Sequence, residues 1–412
     1  MNDGRKYLLF FSIIGMMVSL FFSRALLSVF MIAFAVVACC HKNPKAQLRT
    51  FFSSPVLWGM SLLFVMPLIS GLWSADKKEW LMVLRIKVPL LVLPLAFAAP
   101  FYFSRKQWDI IAWIFLALVT GGTIWSMMHY AGNMDAINES YLRAKSIATP
   151  LGNDHVRFSW LVSVAVLLCG LIWWKIRERQ KLLAVGVLLI MAWLIVYLHL
   201  LAARTGLFSF YIMLLVIGTW LILERAKLVT GIILLVALVS LPFVAYLLLP
   251  SFQNRVAYIL YDYGHFSESR YLPGGNDAAR VISLRAGWAL LNKNPVVGVG
   301  AGDIPALTKQ WDISQYPGML DTDIIYPSSE WLIYGLIAGW PGVILFTAIM
   351  LVPFFYQRRP GLVWLLLHLT AAFSFLFDMG LEIQFGVFVY SFIVLWWWKW
   401  FKPQKEITLT DD

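Results

Sequence analysis

Apolar runs long enough to cross a bilayer as helices, about 17 to 25 residues each, recur about twelve times along this chain. They fall at 7–22, 26–40, 56–73, 80–100, 108–128, 156–174, 182–200, 206–223, 228–249, 331–352, 362–377 and 386–401. Backbone N–H and C=O groups in hydrocarbon must be satisfied within the segment itself, so each run is expected to be helical. Charged residues make up 13% of the 412 residues, against about a quarter in soluble domains. Hydrophobic residues make up 60%, and the mean hydropathy is +0.75. The expected fold is an all-α polytopic membrane protein with about twelve transmembrane helices.

The formal net charge of +11 does not point to nucleic acid, because the basic residues sit in short clusters between apolar runs. Arg5/Lys6, Lys42/Lys45/Arg49, Arg105/Lys106, Lys175/Arg177/Arg179/Lys181, Arg225/Lys227, Arg358/Arg359 and Lys399/Lys402/Lys405 all fall on one side if the spans number twelve. That side is expected to be cytoplasmic, facing anionic lipid, with both termini inside. Trp396, Trp397 and Trp398, close to the last exit, read as an interfacial anchor. The cysteines Cys39, Cys40 and Cys169 lie in apolar runs and have the spacing of neither a disulfide framework nor a zinc site.

Residues 250–330 are the one long polar passage, and they separate a bundle of about nine spans (1–249) from three C-terminal spans (331–401) and a tail (402–412). With the basic loops inside, this passage lies outside, between spans 9 and 10. A loop of that length is expected to be functional, since simple connections are short. Within it Asn276 or Asp277 can cap a helix on which Val281, Leu284, Trp288 and Leu291 share a face. Asn294-Pro295 ends that helix, and Gly298, Gly300 and Gly302 allow close backbone approach just before Asp303. The glycine run lacks the strand and spacing of a nucleotide fingerprint.

Cations at span ends need an explanation, because a charge in hydrocarbon costs about 2.5 to 3.5 kcal/mol on insertion scales. Arg204 opens a span, Arg85 and Lys87 are embedded in another, and Arg157 follows Asp154 and His155 at the start of a third. Each alone could snorkel to the interface or pair with a carboxylate. Together with Arg280 and Arg285 they suggest an outer-face pocket for a multiply charged anion, since the guanidinium fork suits phosphate. Among the carboxylates Asp303, Asp321, Asp323, Glu330, Asp378 and Glu382, the two that abut spans, Glu330 and Glu382, are the stronger candidates for a general base. His155 and His265 are the outside histidines, and no pair of histidines has metal-ligand spacing.

Taken in order, Ala203-Arg204-Thr205-Gly206, the capped helix bearing Arg280, Asn294-Pro295 with Gly298 to Asp303, Ser329-Glu330-Trp331-Leu332, Gly339-Trp340-Pro341-Gly342 and Leu381-Glu382-Ile383-Gln384-Phe385-Gly386 resemble the O-antigen ligase and polymerase family. Segments 85–95 and 155–159 resemble it too, so the likeness covers nearly the whole chain in topology. It implies a GT-C-like glycosyltransferase in the cell inner membrane that takes a glycan from undecaprenyl pyrophosphate at the periplasmic face. One departure stands out: ligases of the family commonly carry a histidine base before the span after the large loop, where this chain has Ser328.

The resemblance implies a donor site of Arg204, Arg280, Arg157, Arg285, Arg85 and Lys87. It implies catalytic roles among Arg204, Arg280, Glu330, Ser328 and His155, and an acceptor region of Gly298, Gly300, Gly302, Asp303, Glu382 and Gln384. The expected reaction is inverting transfer to an acceptor hydroxyl of lipid A-core or another glycan, without metal or cofactor. Membrane lipids are the other expected partner. A polymerase, whose acceptor is a second lipid-linked glycan, is the first alternative. A transporter or flippase of an anionic lipid-linked glycan is the second, and it fits less well without an internal repeat.

Overall fold

A computed structural model describes residues 3–143, 145–267, 276–356 and 361–401. His265 lies on a described helix, but its side chain is outside the described set, as are Arg358, Arg359, Lys402 and Lys405. The first bundle comprises α1 (Asp3–Phe22), α2 (Arg24–Cys39), α3 (Pro44–Ser53), α4 (Pro55–Ser70), α5 (Lys77–Lys87), α6 (Pro89–Ala98) and α7 (Arg105–Gly132). The chain continues through α8 (Met134–Tyr141), a short turn α9 (Pro150–Asn153), α10 (His155–Ile176), α11 (Lys181–Leu201), α12 (Arg204–Leu223) and α13 (Leu228–Leu248). The polar passage holds α14 (Pro250–Ser267), α15 (Asn276–Lys293) and α16 (Ile304–Gln315). It is followed by α17 (Glu330–Phe355), α18 (Leu362–Leu376) and α19 (Gln384–Phe401).

The protein is an all-α polytopic membrane protein. Among the described residues eight helices are long and apolar enough to cross a bilayer, α5 and α6 counting as one, Lys77–Ala98. The pair α2 and α3 is bent by 111°, and α4 and α18 are shorter apolar helices. Each of the twelve apolar runs is nevertheless occupied by helix. Local sequence starts two of these helices: Ser104 and Gln107 form a capping box on α7, and Asp76 accepts from the N–H groups of Lys78 and Glu79, both at 2.9 Å, to open α5.

Burial ranks the helices. In α10, 78% of the spanning window is enclosed, against 11% in α13, so α10 is the axis and α13 faces lipid. α19 is enclosed as well, packed against α6, α10 and α18. Trp396 and Trp397 are wholly buried there, and Trp396 stacks on Trp400 with ring centroids 5.8 Å apart. The tryptophan triplet is therefore core, not an interfacial anchor, because neighbouring helices enclose α19 as far as Trp398.

Contacts collect the inter-helix connections at two ends. At one end Arg5 donates to the carbonyls of Val37 and Ala38, Gln47 to Leu95 O at 2.7 Å and Lys399 to Ala99 O at 2.8 Å. At the other, the connections 71–76, 141–143, 145–154, 201–204, 250–267, 276–330 and 377–384 hold one another. α17 is broken at Ala338 and Gly339 (φ 70°). The carbonyl of Leu336 freed by that break accepts from the N–H groups of Val299 at 2.7 Å and Gly300 at 3.1 Å, so the glycine run repairs the broken span.

Candidate functional site

The turn between α11 and α12 sets the first residue of the site. Ala202 takes a left-handed conformation (φ 48°) that ends α11, and Gly206 lets α12 close onto α10. A Cβ there would meet Ser159 O at 2.6 Å, and Gly206 N donates to Ser159 Oγ at 3.1 Å. Arg204, between these two, pairs with Asp277 in the first turn of α15. Asp277 does not cap its own helix. Asp262 of α14 does so, accepting from the N–H of Asp277 at 2.7 Å and of Ala278 at 3.3 Å, which leaves the Asp277 carboxylate for Arg204. The side chain of Asn276, the other expected cap, lies outside the described residues.

Beside this pair is a cavity of about 510 Å³. Arg204, Asp277, Arg280 and Ser328 form its polar side, and Phe208, Phe373 and Phe377 belong to its apolar side. Burial first, and Arg204 second, push the pKa of Arg280 down. Burial and then Arg204 do the same to Arg255. A guanidinium stays protonated through such shifts, so their meaning is crowding of like charge. Arg157 completes the group, bonded to Asp378 at 2.9 Å and to Asp154 at 3.5 Å. Burial pushes the Asp378 carboxyl up, opposed by Arg157 and Arg280. Nε and Nη1 of Arg255 and Oδ2 of Asp277 are buried without hydrogen-bond partners among the described residues. Four arginines thus gather with Asp154, Asp277 and Asp378, while the nearby Asp262 is committed to the backbone N–H groups of α15, and an incoming anion would relieve the crowding of the guanidiniums.

His155, half-buried at the start of α10, lies within electrostatic reach of Arg255, Asp154 and Arg280. Ser328 Oγ is 3.1 Å from Ser283 Oγ, whose hydroxyl donates to Arg280 O at 2.8 Å. A second polar group lies further along: Lys87 is ion-paired to Glu382 and donates to Leu381 O at 3.0 Å, while the N–H of Leu381 donates to Glu330 Oε1 at 2.5 Å. Glu330 is fully buried, and its Oε2 has no hydrogen-bond partner among the described residues. Gln384 is half-buried at the start of α19.

The remaining expected residues sit apart from the cavity. Arg85 is on the exposed face of α5, opposite Lys87, and Arg285 points outward, donating to Tyr316 Oη at 3.2 Å. Gly298, Gly300 and Gly302 line the seam between the polar passage and the bundle. Both oxygens of Asp303 accept backbone N–H groups, from Ala75 at 2.8 Å and Asp76 at 2.9 Å. Sequence reasoning gave no site role to Arg255, Asp262 and Asp277. The first two, with Tyr258, recur three and four apart on α14, a polar stripe that could have marked them.

Residues 189–347 match the family model described as O-antigen ligase. That stretch is under half of the chain, and it supports membership of the O-antigen ligase and polymerase family. The matched stretch contains Arg204, Arg280, Ser328, Glu330 and the whole polar passage, while His155, Arg157, Lys87 and Glu382 lie outside it. Comparison with curated proteins gives no match. The match supports a glycosyltransferase-like membrane enzyme of ligase or polymerase type, a class whose substrates are lipid-linked glycans.

Proposed function

We propose that this protein transfers a glycan from undecaprenyl pyrophosphate to a hydroxyl of lipid A-core at the periplasmic face of the inner membrane. The observation that carries the reading is the cavity's two-sidedness: Arg204 and Arg280 on one side, an aromatic wall on the other. A pyrophosphate joined to a polyprenyl chain needs both. In this reading the donor's phosphates take Arg204 from Asp277, and the released carboxylate turns to Arg255, whose buried Nε and Nη1 have no hydrogen-bond partner among the described residues. The acceptor oxygen attacks the anomeric carbon from the face opposite the phosphate, so configuration inverts. The bond from that carbon to the phosphate oxygen breaks with its electron pair on the pyrophosphate, where the arginines stabilise the growing charge.

The acceptor proton leaves to His155 or to Glu330. Asp303 is committed to backbone groups, and a serine at position 328 is no base near neutral pH. Glu330→Gln and His155→Asn separate the two candidates, since only loss of the true base removes turnover while donor binding persists. The arginines supply the positive charge, so EDTA is expected to leave turnover unchanged.

The test is purified protein with undecaprenyl-pyrophosphate glycan, with and without lipid A-core, the products resolved by size. One shift that requires the core is the expected result. A ladder from donor alone would make the protein a polymerase, and intact donor in both lanes would refute glycan transfer. Arg204→Ala is expected to lower turnover by about 10²- to 10³-fold, the usual loss of one donor to developing charge, with membrane insertion intact.

A further inference from the structure

A second cavity, of about 610 Å³, opens between α1, α7 and the turn 149–153, and it shares no lining residue with the arginine cavity. Its walls are apolar and face outward: Phe22 is 77% exposed and Trp125 43%. Gly121 of α7 leaves its floor open, while Gly122 packs against Pro150 and Phe158. Polarity is confined to one end. Thr149 lines the cavity and is itself 2% exposed, and its hydroxyl is buried without a hydrogen-bond partner among the described residues. At the same end the Arg24 guanidinium lies beside Gly152 and over the Phe385 ring, 4.6 Å from its centroid. No carboxylate among the described residues is within ion-pair distance of Arg24.

We propose that this cavity binds an anionic phospholipid of the surrounding bilayer. One acyl chain lies along the groove between α1 and α7, the phosphate sits on Arg24, and an ester oxygen accepts from the Thr149 hydroxyl. A water-soluble ligand would gain nothing from the outward wall of Phe22 and Trp125, whereas an acyl chain covers it. A pyrophosphate would need several cations, and this site has one, which suits a single phosphate. The lipid also has a route to the reaction. The turn it would occupy runs straight into Asp154, which caps α10 by accepting from Arg157 N at 3.1 Å and ion-pairs with the Arg157 side chain. Occupancy therefore positions the carboxylate that holds one of the four arginines.

The test uses the full chain, delipidated in detergent and titrated with phosphatidylglycerol or phosphatidylcholine, with native mass spectrometry for retention and thermal unfolding for stabilisation. Phosphatidylglycerol is expected to be retained about fivefold more strongly, the effect of one arginine near anionic lipid. Arg24→Gln should remove that preference while a chain still binds. A Cβ at Gly121 meets nothing within 4 Å, so Gly121→Phe should fill the groove without disturbing packing and abolish the lipid-dependent shift. Equal retention of the two lipids by the unaltered protein would overturn the proposal, as would a full phosphatidylglycerol shift in Gly121→Phe. Preferential retention of undecaprenyl-pyrophosphate glycan that Gly121→Phe removes would also overturn it, by making the cavity a substrate site. None of these readouts depends on glycan transfer, so the two proposals fail separately.

Discussion

Asp312 shows what an unpaired charge costs in this protein. It sits on α16 with 1% exposure, and neither carboxylate oxygen has a hydrogen-bond partner among the described residues. Burial pushes its pKa from 3.8 up to about 6. The folded state therefore holds a proton that the unfolded chain releases between these two values, so this group's contribution falls as pH rises through that window and levels off above it. Asp312→Asn is expected to raise the unfolding temperature at pH 7.5, with the gain vanishing near pH 4. An equal gain at both values would mean that the carboxyl is solvated. The site arginines obey the same rule, and it made Arg204, Arg157 and Lys87 legible in the sequence: each is a cation at a span end. What sequence could not show is which carboxylate each one meets. Asp277 and Asp378 come from segments 73 and 221 positions away from Arg204 and Arg157, and only the folded chain brings them together.

At the scale of elements, the run from Gly298 to Asp303 reads from sequence as a place for substrate, because glycine permits close approach. In the structure the close approach is to the protein itself. A Cβ on Gly298 (φ 71°) would meet Leu336 O at 2.3 Å, and one on Gly339 (φ 70°) would meet Pro295 O at 2.5 Å. Gly298→Ala is thus expected to destabilise by about 1 to 3 kcal/mol, through strain and loss of the bonds that complete α17. Protease accessibility of residues 294–303 should rise with it, and unchanged unfolding and proteolysis would show that the seam is slack. The apolar runs were legible as helices, but the one cap read from sequence was not: Asp262, from another helix, takes the place expected of Asp277. Span count was less legible, because an apolar run does not say whether its helix is long, as α17 is, or short, as α4 and α18 are. The triplet Trp396-Trp397-Trp398 misleads for a related reason: aromatic character marks an interface or a core equally well, and enclosure by other helices decides.

For the whole molecule, the ion-paired groups of the site, Lys87–Glu382, Arg157–Asp378 and Arg204–Asp277, gather at one end of the bundle instead of forming a path along it, which favours catalysis at a face over passage through the membrane. Which face it is follows from the positive-inside rule alone, and the native cysteines offer a direct check. Cys39 and Cys40 are exposed at the end of α2, among the basic connections, whereas Cys169 is buried. Ser314, exposed on α16 in the polar passage, lies at the opposite end. An impermeant maleimide should label Cys39 and Cys40 only in inverted membrane vesicles. Ser314→Cys, in a chain with the native cysteines replaced, should be labelled only in right-side-out ones. The reverse pattern would place the arginine cavity on the cytoplasmic side. A donor presented at the periplasmic face could not then reach it, and the proposed transfer would fail on topology before any question of chemistry arose.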